Sequence, residues 1–265
     1  MTEFVTTTDG DRVAYDLYGS GPGLVFVAGA GPFRAIDPDT TETAEIASGL
    51  GVTAVVYDRL GRGESEVEGR IGLKREIAAL AALIEVAGGS AVLFDYSSGC
   101  SISLAAAAAG LPVNGLALWE APLGPPGGGG QEWADQVGRL LDGGDAEGAV
   151  EQYMNDMPPE FLEGLKQSPM WHQFIVQAQS LRPDGESLAW AESAPHAELF
   201  RDIRVPVVAM VGEDTFDEMP IATGFVVDAI PGATQKRMPG ANHSYEPKPM
   251  AVELASFVKD CRSTG

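Results

Sequence analysis

The chain has 265 residues, 45% of them hydrophobic and 21% charged, enough to bury the core of one large α/β domain without disulfide staples and with no stretch polar enough to stay disordered. Its 38 acidic against 17 basic side chains give a net charge of -21, which repels phosphate backbones and anionic lipid and so argues against a nucleic-acid or membrane-surface partner. Only two cysteines occur, Cys100 and Cys261, without metal-like spacing; both are expected to be free thiols, and neither a disulfide framework nor a zinc site is expected.

The start, Met1-Thr2-Glu3-Phe4, carries neither a basic nor an apolar leader region, and no apolar run approaches the roughly 20 residues of a membrane span, which predicts a cytoplasmic protein. Residues 4–18 predict a hairpin about the Asp9-Gly10-Asp11 turn. The continuous apolar run 24–28 predicts a strand buried on both faces, ending in Gly29-Ala30-Gly31-Pro32. A helix over 41–50, a strand over 53–57 and a loop over 58–65 follow. Ile77, Leu80, Ala81 and Ile84 then recur at helical spacing up to Gly88-Gly89. Strand 91–95, an alanine-rich helix over 98–109 and strand 115–119 complete the first half. Buried strands alternating with helices predict a mostly parallel sheet, eight-stranded in all, with helices on both faces.

The alternation breaks at the Pro- and Gly-rich stretch 122–130, and about 70 residues of helical character follow. Residues 124–198 are expected to form a helical lid inserted into one α/β core made of 1–123 and 199–265. Trp133, Phe161, Trp171, Phe174 and Trp190 are read as lid core first and substrate pocket second. Strand 205–211, helix 220–230, strand 234–238 and helix 249–258 finish the sheet.

Chemistry concentrates at Asp95-Tyr96-Ser97-Ser98-Gly99, where a strand meets a helix. A serine on such a turn can cap the helix, or it can project its hydroxyl beside the helix's free N–H groups as a nucleophile. The earlier strand end offers the Ala30 N–H, which with that of Ser98 could surround a developing oxyanion. Of three histidines, His172 and His196 fall in the insertion, whereas His243 lies in Pro239-Gly240-Ala241-Asn242-His243-Ser244, after the last strand, and is the expected general base.

Together with Tyr57-Asp58-Arg59-Leu60-Gly61-Arg62-Gly63-Glu64-Ser65, Trp119-Glu120-Ala121-Pro122 and Val211-Gly212-Glu213-Asp214, these segments resemble the α/β-hydrolase family over nearly the whole chain. The likeness is to its lidded serine-hydrolase branch, esterase- and lactonase-like, of high-GC bacteria. The resemblance implies Ser97 as nucleophile, His243 as base, Ala30 and Ser98 as oxyanion donors, and no metal or organic cofactor. It implies hydrolysis of a carboxylic ester, thioester or lactone, with a small-molecule substrate as the partner and a homodimer left open. Tyr96, Trp119, Trp133 and Trp171 are the expected substrate contacts.

The resemblance leaves the acid with two placements. The family's commoner position falls on Thr215, flanked by Asp214 and Asp217; a second, after the preceding strand, falls on Glu120, which is favoured over Asp214. The family's first elbow glycine is Asp95 here, and its usual histidines are Tyr96 and Ala28. These departures keep two alternatives open: a lyase, decarboxylase or cyclase on the same fold, or a small-molecule-binding protein without catalysis.

Overall fold

The computed structural model describes residues 2–155 and 157–263. A single sheet of nine strands runs in the order β1-β2-β4-β3-β5-β6-β7-β8-β9. Its members are β1 (Glu3–Thr6), β2 (Arg12–Gly19), β3 (Gly23–Val27), β4 (Thr53–Tyr57), β5 (Ala91–Tyr96), β6 (Val113–Trp119), β7 (Val207–Asp214), β8 (Thr234–Ala241) and β9 (Ser244–Tyr245). All pairings from β4 through β8 are parallel, and the antiparallel pairs lie at the two edges.

This is the α/β-hydrolase fold, with one strand more than the eight expected. The addition is β9, in a segment whose Pro239 and Gly240 read as loop. The sequence signal failed because β8 runs on to Ala241 through a register shift against β7, between Gly212 and Asp214. Such an irregularity lets a proline sit in a strand without breaking a ladder hydrogen bond.

Helices cover both faces of the sheet because its central strands are apolar on both. Leu93 of β5 joins a core with Leu80 and Leu83 of α2 (Leu73–Val86), Ile102 of α3 (Gly99–Ala108) and Val226 of α10 (Glu218–Ala229). Val92 and Phe94 face the opposite layer, with Ala44 and Ala47 of α1 (Pro38–Gly49) and Leu254 and Val258 of α11 (Pro247–Ser263). Asp37 caps α1 by accepting from the Thr40 N–H, and Pro38 takes the first helical position, where no N–H is required.

Among the described residues, six α-helices lie between β6 and β7, with a short 3-10 turn at Ala178–Leu181: α4 (Gly130–Asp142), α5 (Ala146–Tyr153), α6 (Pro159–Gln167), α7 (Trp171–Val176), α8 (Arg182–Glu192) and α9 (His196–Leu199). Val137, Leu141, Ala149, Val150, Ala178 and Leu181 give them a small core of their own. Helix α8 packs down on α2 and α3, whereas α6 and α7 bury no residue fully. Among the described residues, no helix is long and apolar enough to cross a membrane.

Candidate active site

Because β3 and β5 through β8 run parallel, the segments that follow them emerge at one edge of the sheet. That edge collects Ala30 after β3, Ser97 after β5, Glu120 after β6 and His243 after β8. Among the described residues, the non-glycine positions with left-handed backbone are Ser97 (φ 55°), Glu120 (φ 47°), Asn242 (φ 51°) and His243 (φ 68°). All four belong to this edge. Each such conformation costs on the order of 1 kcal/mol or more, and it persists only where surrounding contacts over-determine it.

For Ser97 those contacts are made by its backbone. Its N–H donates to the Trp119 carbonyl at 3.0 Å, and its own carbonyl accepts from the Cys100 N–H at 3.0 Å, opening α3. Two glycines let β3 approach this turn. A Cβ on Gly99 would lie 2.5 Å from the Val27 carbonyl oxygen, and one on Gly29 would lie 2.9 Å from Ser97 Cβ. The Ser97 side chain stays half-exposed at the sheet edge.

Asp95, where the family prefers a small residue, does not disturb this turn. Its side chain is fully buried on the α3 side of β5 and accepts a hydrogen bond from Ser103 one helical turn on. Burial pushes its carboxyl well above the usual range, the Ser103 hydrogen bond opposing only part of that, which favours the protonated form of Asp95. Its second oxygen, Oδ2, is buried without a partner.

The consequence is a stability dependence on pH. A carboxyl whose folded pKa is raised binds more protons folded than unfolded, so its contribution is fully present below about pH 4 and is lost as pH rises, by about 1.4 kcal/mol per unit, until the folded value is passed. Asp95→Asn should remove this slope. Urea unfolding of the two proteins between pH 4 and 8 is expected to favour the variant progressively more with rising pH; parallel curves would mean that Asp95 is ionised.

Glu120 and His243 meet directly: Nδ1 of His243 lies 2.6 Å from Oε2 of Glu120. The carboxylate is fully buried and the imidazole side chain about one-fifth exposed. Oε1 of Glu120 accepts from the Gly212 N–H at 2.9 Å. Burial works against the charge of Glu120, but the hydrogen bonds with His243 and the Gly212 N–H, together with the nearby Thr215 hydroxyl, outweigh it and hold its pKa below the ordinary value. An ionised carboxylate only accepts, so Nδ1 carries a proton, and a neutral ring so oriented keeps its lone pair on Nε2.

His243 is aimed by a hairpin. Asn242 and His243 form the two-residue connection between β8 and β9, both left-handed as in a type I′ turn. The Asn242 N–H donates to the Asp214 carbonyl at 3.0 Å, and the His243 carbonyl accepts from the Trp119 indole at 3.2 Å. Gly240 is needed for this: a Cβ there would lie 2.7 Å from the Trp119 ring. Asp214, the other candidate acid, has its backbone in this hairpin support and its side chain exposed, and Asp217 is exposed as well.

Trp119, expected from the sequence as a substrate contact, has no exposed surface here. It ties the Ser97 turn to the His243 hairpin through its carbonyl and its indole N–H. Trp133 and Trp171 pack against the core of the inserted helices, Trp133 on Tyr153 with its indole donating to the Gln152 carbonyl. Tyr96 does reach a cleft of about 220 Å³ in which Ile36, Asp37, Phe174, His243 and Tyr245 also take part. Its hydroxyl donates to Asp37 at 2.6 Å. Sequence reading missed Asp37 and Tyr245, because nothing local brings the start of α1 to the His243 hairpin. His196 is buried against Phe200.

Residues 24–253 match the Alpha/beta hydrolase family. An alpha/beta hydrolase from Sphaerobacter thermophilus DSM 20745 is similar at 30% identity with a TM-score of 0.80, over 96% of this chain and 99% of that one. A hydrolase from Pseudomonas aeruginosa PA01 is similar at 21% identity, TM-score 0.71, over 97% and 98% of the two chains. A thermophilic esterase from Thermogutta terrifontis, with malate bound, is similar at 22% identity, TM-score 0.64, over 100% and 97%. No curated protein matches the chain significantly.

Proposed function

The chain belongs to the alpha/beta hydrolase family, and we propose that it is a serine hydrolase of carboxylic esters, thioesters or lactones that works through an acyl-enzyme on Ser97. The observation that carries this reading is the 2.6 Å contact of His243 Nδ1 with the buried Glu120 carboxylate, at the sheet edge where Ser97 is held left-handed. A bare cap serine would need neither feature.

In this cycle the Ser97 hydroxyl attacks the substrate carbonyl while His243 Nε2 takes its proton. The negative charge on the carbonyl oxygen falls between the Ala30 and Ser98 N–H groups, and His243 returns the proton to the departing alkoxide or thiolate. Water, activated by the same nitrogen, then attacks the acyl ester, releases the carboxylic acid and restores the Ser97 hydroxyl. Glu120 stays ionised throughout and stabilises the imidazolium. Residues 124–198 act as a lid on the core formed by 1–123 and 199–265, and Phe174 of α7 supplies its contact with the cleft.

A fluorophosphonate probe tests the reading. The expected result is one covalent adduct, located by mass spectrometry on the peptide containing Ser97. Turnover of a substrate without any acyl or phosphonyl adduct would move the protein to lyase or cyclase chemistry, and tight ligand binding without turnover would make it a binding protein.

The cleft also bears on substrate charge. Asp37 and Asp39 line it, and no lysine or arginine is among its lining residues. A carboxylate on the substrate would meet like charge, at a cost of about 1–4 kcal/mol for one pair near the surface. The p-nitrophenyl ester of butyrate is therefore expected to have kcat/KM at least about tenfold above that of the hemisuccinate, the gap narrowing in high salt. Equal values for the two esters would remove the charge argument.

A further inference from the structure

Beneath the candidate site lies a buried polar cluster that the reaction scheme does not use. Asp184, on α8 of the inserted segment, is fully buried; Oδ1 accepts from Arg59 Nη1 at 2.6 Å and from the Ser98 hydroxyl at 2.7 Å, and Oδ2 accepts from Arg62 Nη2 at 3.0 Å. The same guanidinium groups reach the loop after β3. Arg62 Nη1 donates to the Gly29 carbonyl at 2.5 Å and to that of Pro32 at 3.3 Å, and Arg59 Nη1 donates to the carbonyls of Ala28 at 3.1 Å and Gly29 at 3.3 Å.

The geometry of the peptide unit gives these contacts a meaning. In a planar trans peptide the carbonyl of one residue and the N–H of the next point in opposite directions. Holding the Gly29 carbonyl against Arg62 therefore turns the Ala30 N–H the other way, out of the cluster. The Ser97 carbonyl is likewise held by the Cys100 N–H inside α3, which turns the Ser98 N–H outward from the helix start. The hydroxyl of Ser98 is then anchored to Asp184.

We infer that Asp184, with Arg59 and Arg62, is a positioning element for the oxyanion hole, so that a residue of the inserted segment sets the two backbone donors contributed by the core. This rests on the serine-hydrolase reading above. The two buried guanidinium groups face two buried carboxylates, Glu76 at 3.4 Å from Arg59 and Asp184 between both arginines, and of these it is Asp184 that also accepts from the Ser98 hydroxyl. Helix α8 is thereby a fixed part of the site, in contrast to α6 and α7, which bury no residue fully.

Asp184→Asn and Ser98→Ala test this in the full-length chain, by ester kinetics and by the affinity of a boronic acid that forms a tetrahedral anion on Ser97. Asp184→Asn should lower kcat about 10–100-fold with KM within about twofold, and boronic acid affinity should fall by the same factor as kcat/KM, as for a weakened oxyanion donor. Ser98→Ala removes one hydrogen bond and no charge; its losses should be smaller but fall on the same line. Boronic acid affinity unchanged in both variants, or a loss confined to KM, would overturn the inference. If Asp184→Asn does not fold, Ser98→Ala decides alone. An unaltered chain that neither turns over esters nor binds the boronic acid would overturn the hydrolase reading first, and this inference with it.

Discussion

Ser97→Ala is expected to lower kcat for ester hydrolysis by about 10⁴–10⁶-fold, with KM and the thermal midpoint close to those of the unaltered chain. The separation follows from how Ser97 is held. Its N–H bonds Trp119 and its carbonyl bonds Cys100, so an alanine keeps both fold contacts and loses only the oxygen that would carry the acyl group. Steady-state rates with p-nitrophenyl butyrate, beside a melting curve, check both halves. A variant retaining a tenth of the activity would place the nucleophile elsewhere.

Glu120→Gln should lose about 10³–10⁴-fold in kcat, for a reason that can be followed atom by atom. The Gly212 N–H requires an acceptor, which fixes the amide oxygen of the glutamine at the place of Oε1. The amide NH₂ then faces His243 Nδ1, which must accept rather than donate, and the ring proton moves to Nε2. An imidazole protonated at Nε2 cannot take the Ser97 proton. Asp214→Asn, by contrast, alters an exposed side chain whose backbone does the anchoring, and should change kcat less than threefold or so. Measured together, the two variants separate the placements left open by the sequence: a large loss in Asp214→Asn with little in Glu120→Gln would reverse the assignment.

The contacts that hold this edge do not run through the positions where the chain departs from the family. Left-handed backbone at Glu120 is held by the Met210 carbonyl and that of the Asn242-His243 turn by Asp214 and Trp119, none of which involves the residue before Ser97. Tyr96 can thus replace the usual histidine, because its ring turns to the cleft and its hydroxyl finds Asp37. Asp95 can replace the usual glycine for a different reason. Its side chain lies on the α3 face, where Ser103 is small and donates a hydrogen bond, so the turn keeps its geometry and the cost appears as a raised carboxyl pKa.

Much of this architecture was legible in the residues themselves. Runs such as 24–28 and 91–94 are apolar on both faces, and a strand of that kind has no stable place except inside a parallel sheet covered on two sides. The junction of such a run with an alanine-rich helix put Ser97 on a turn, and the position of His243 after the last strand put an imidazole at the same edge. Local pattern could neither bring Glu120 to His243 nor show that Trp119 would be fully buried. Glu120 and His243 stand 123 residues apart, and they meet only because β6, β7 and β8 are neighbours in that order. Strand order, the depth of a side chain and the meeting of α8 with the arginines that hold the loop after β3 are set by non-local packing, whose free energy is shared among many contacts and written in no short segment.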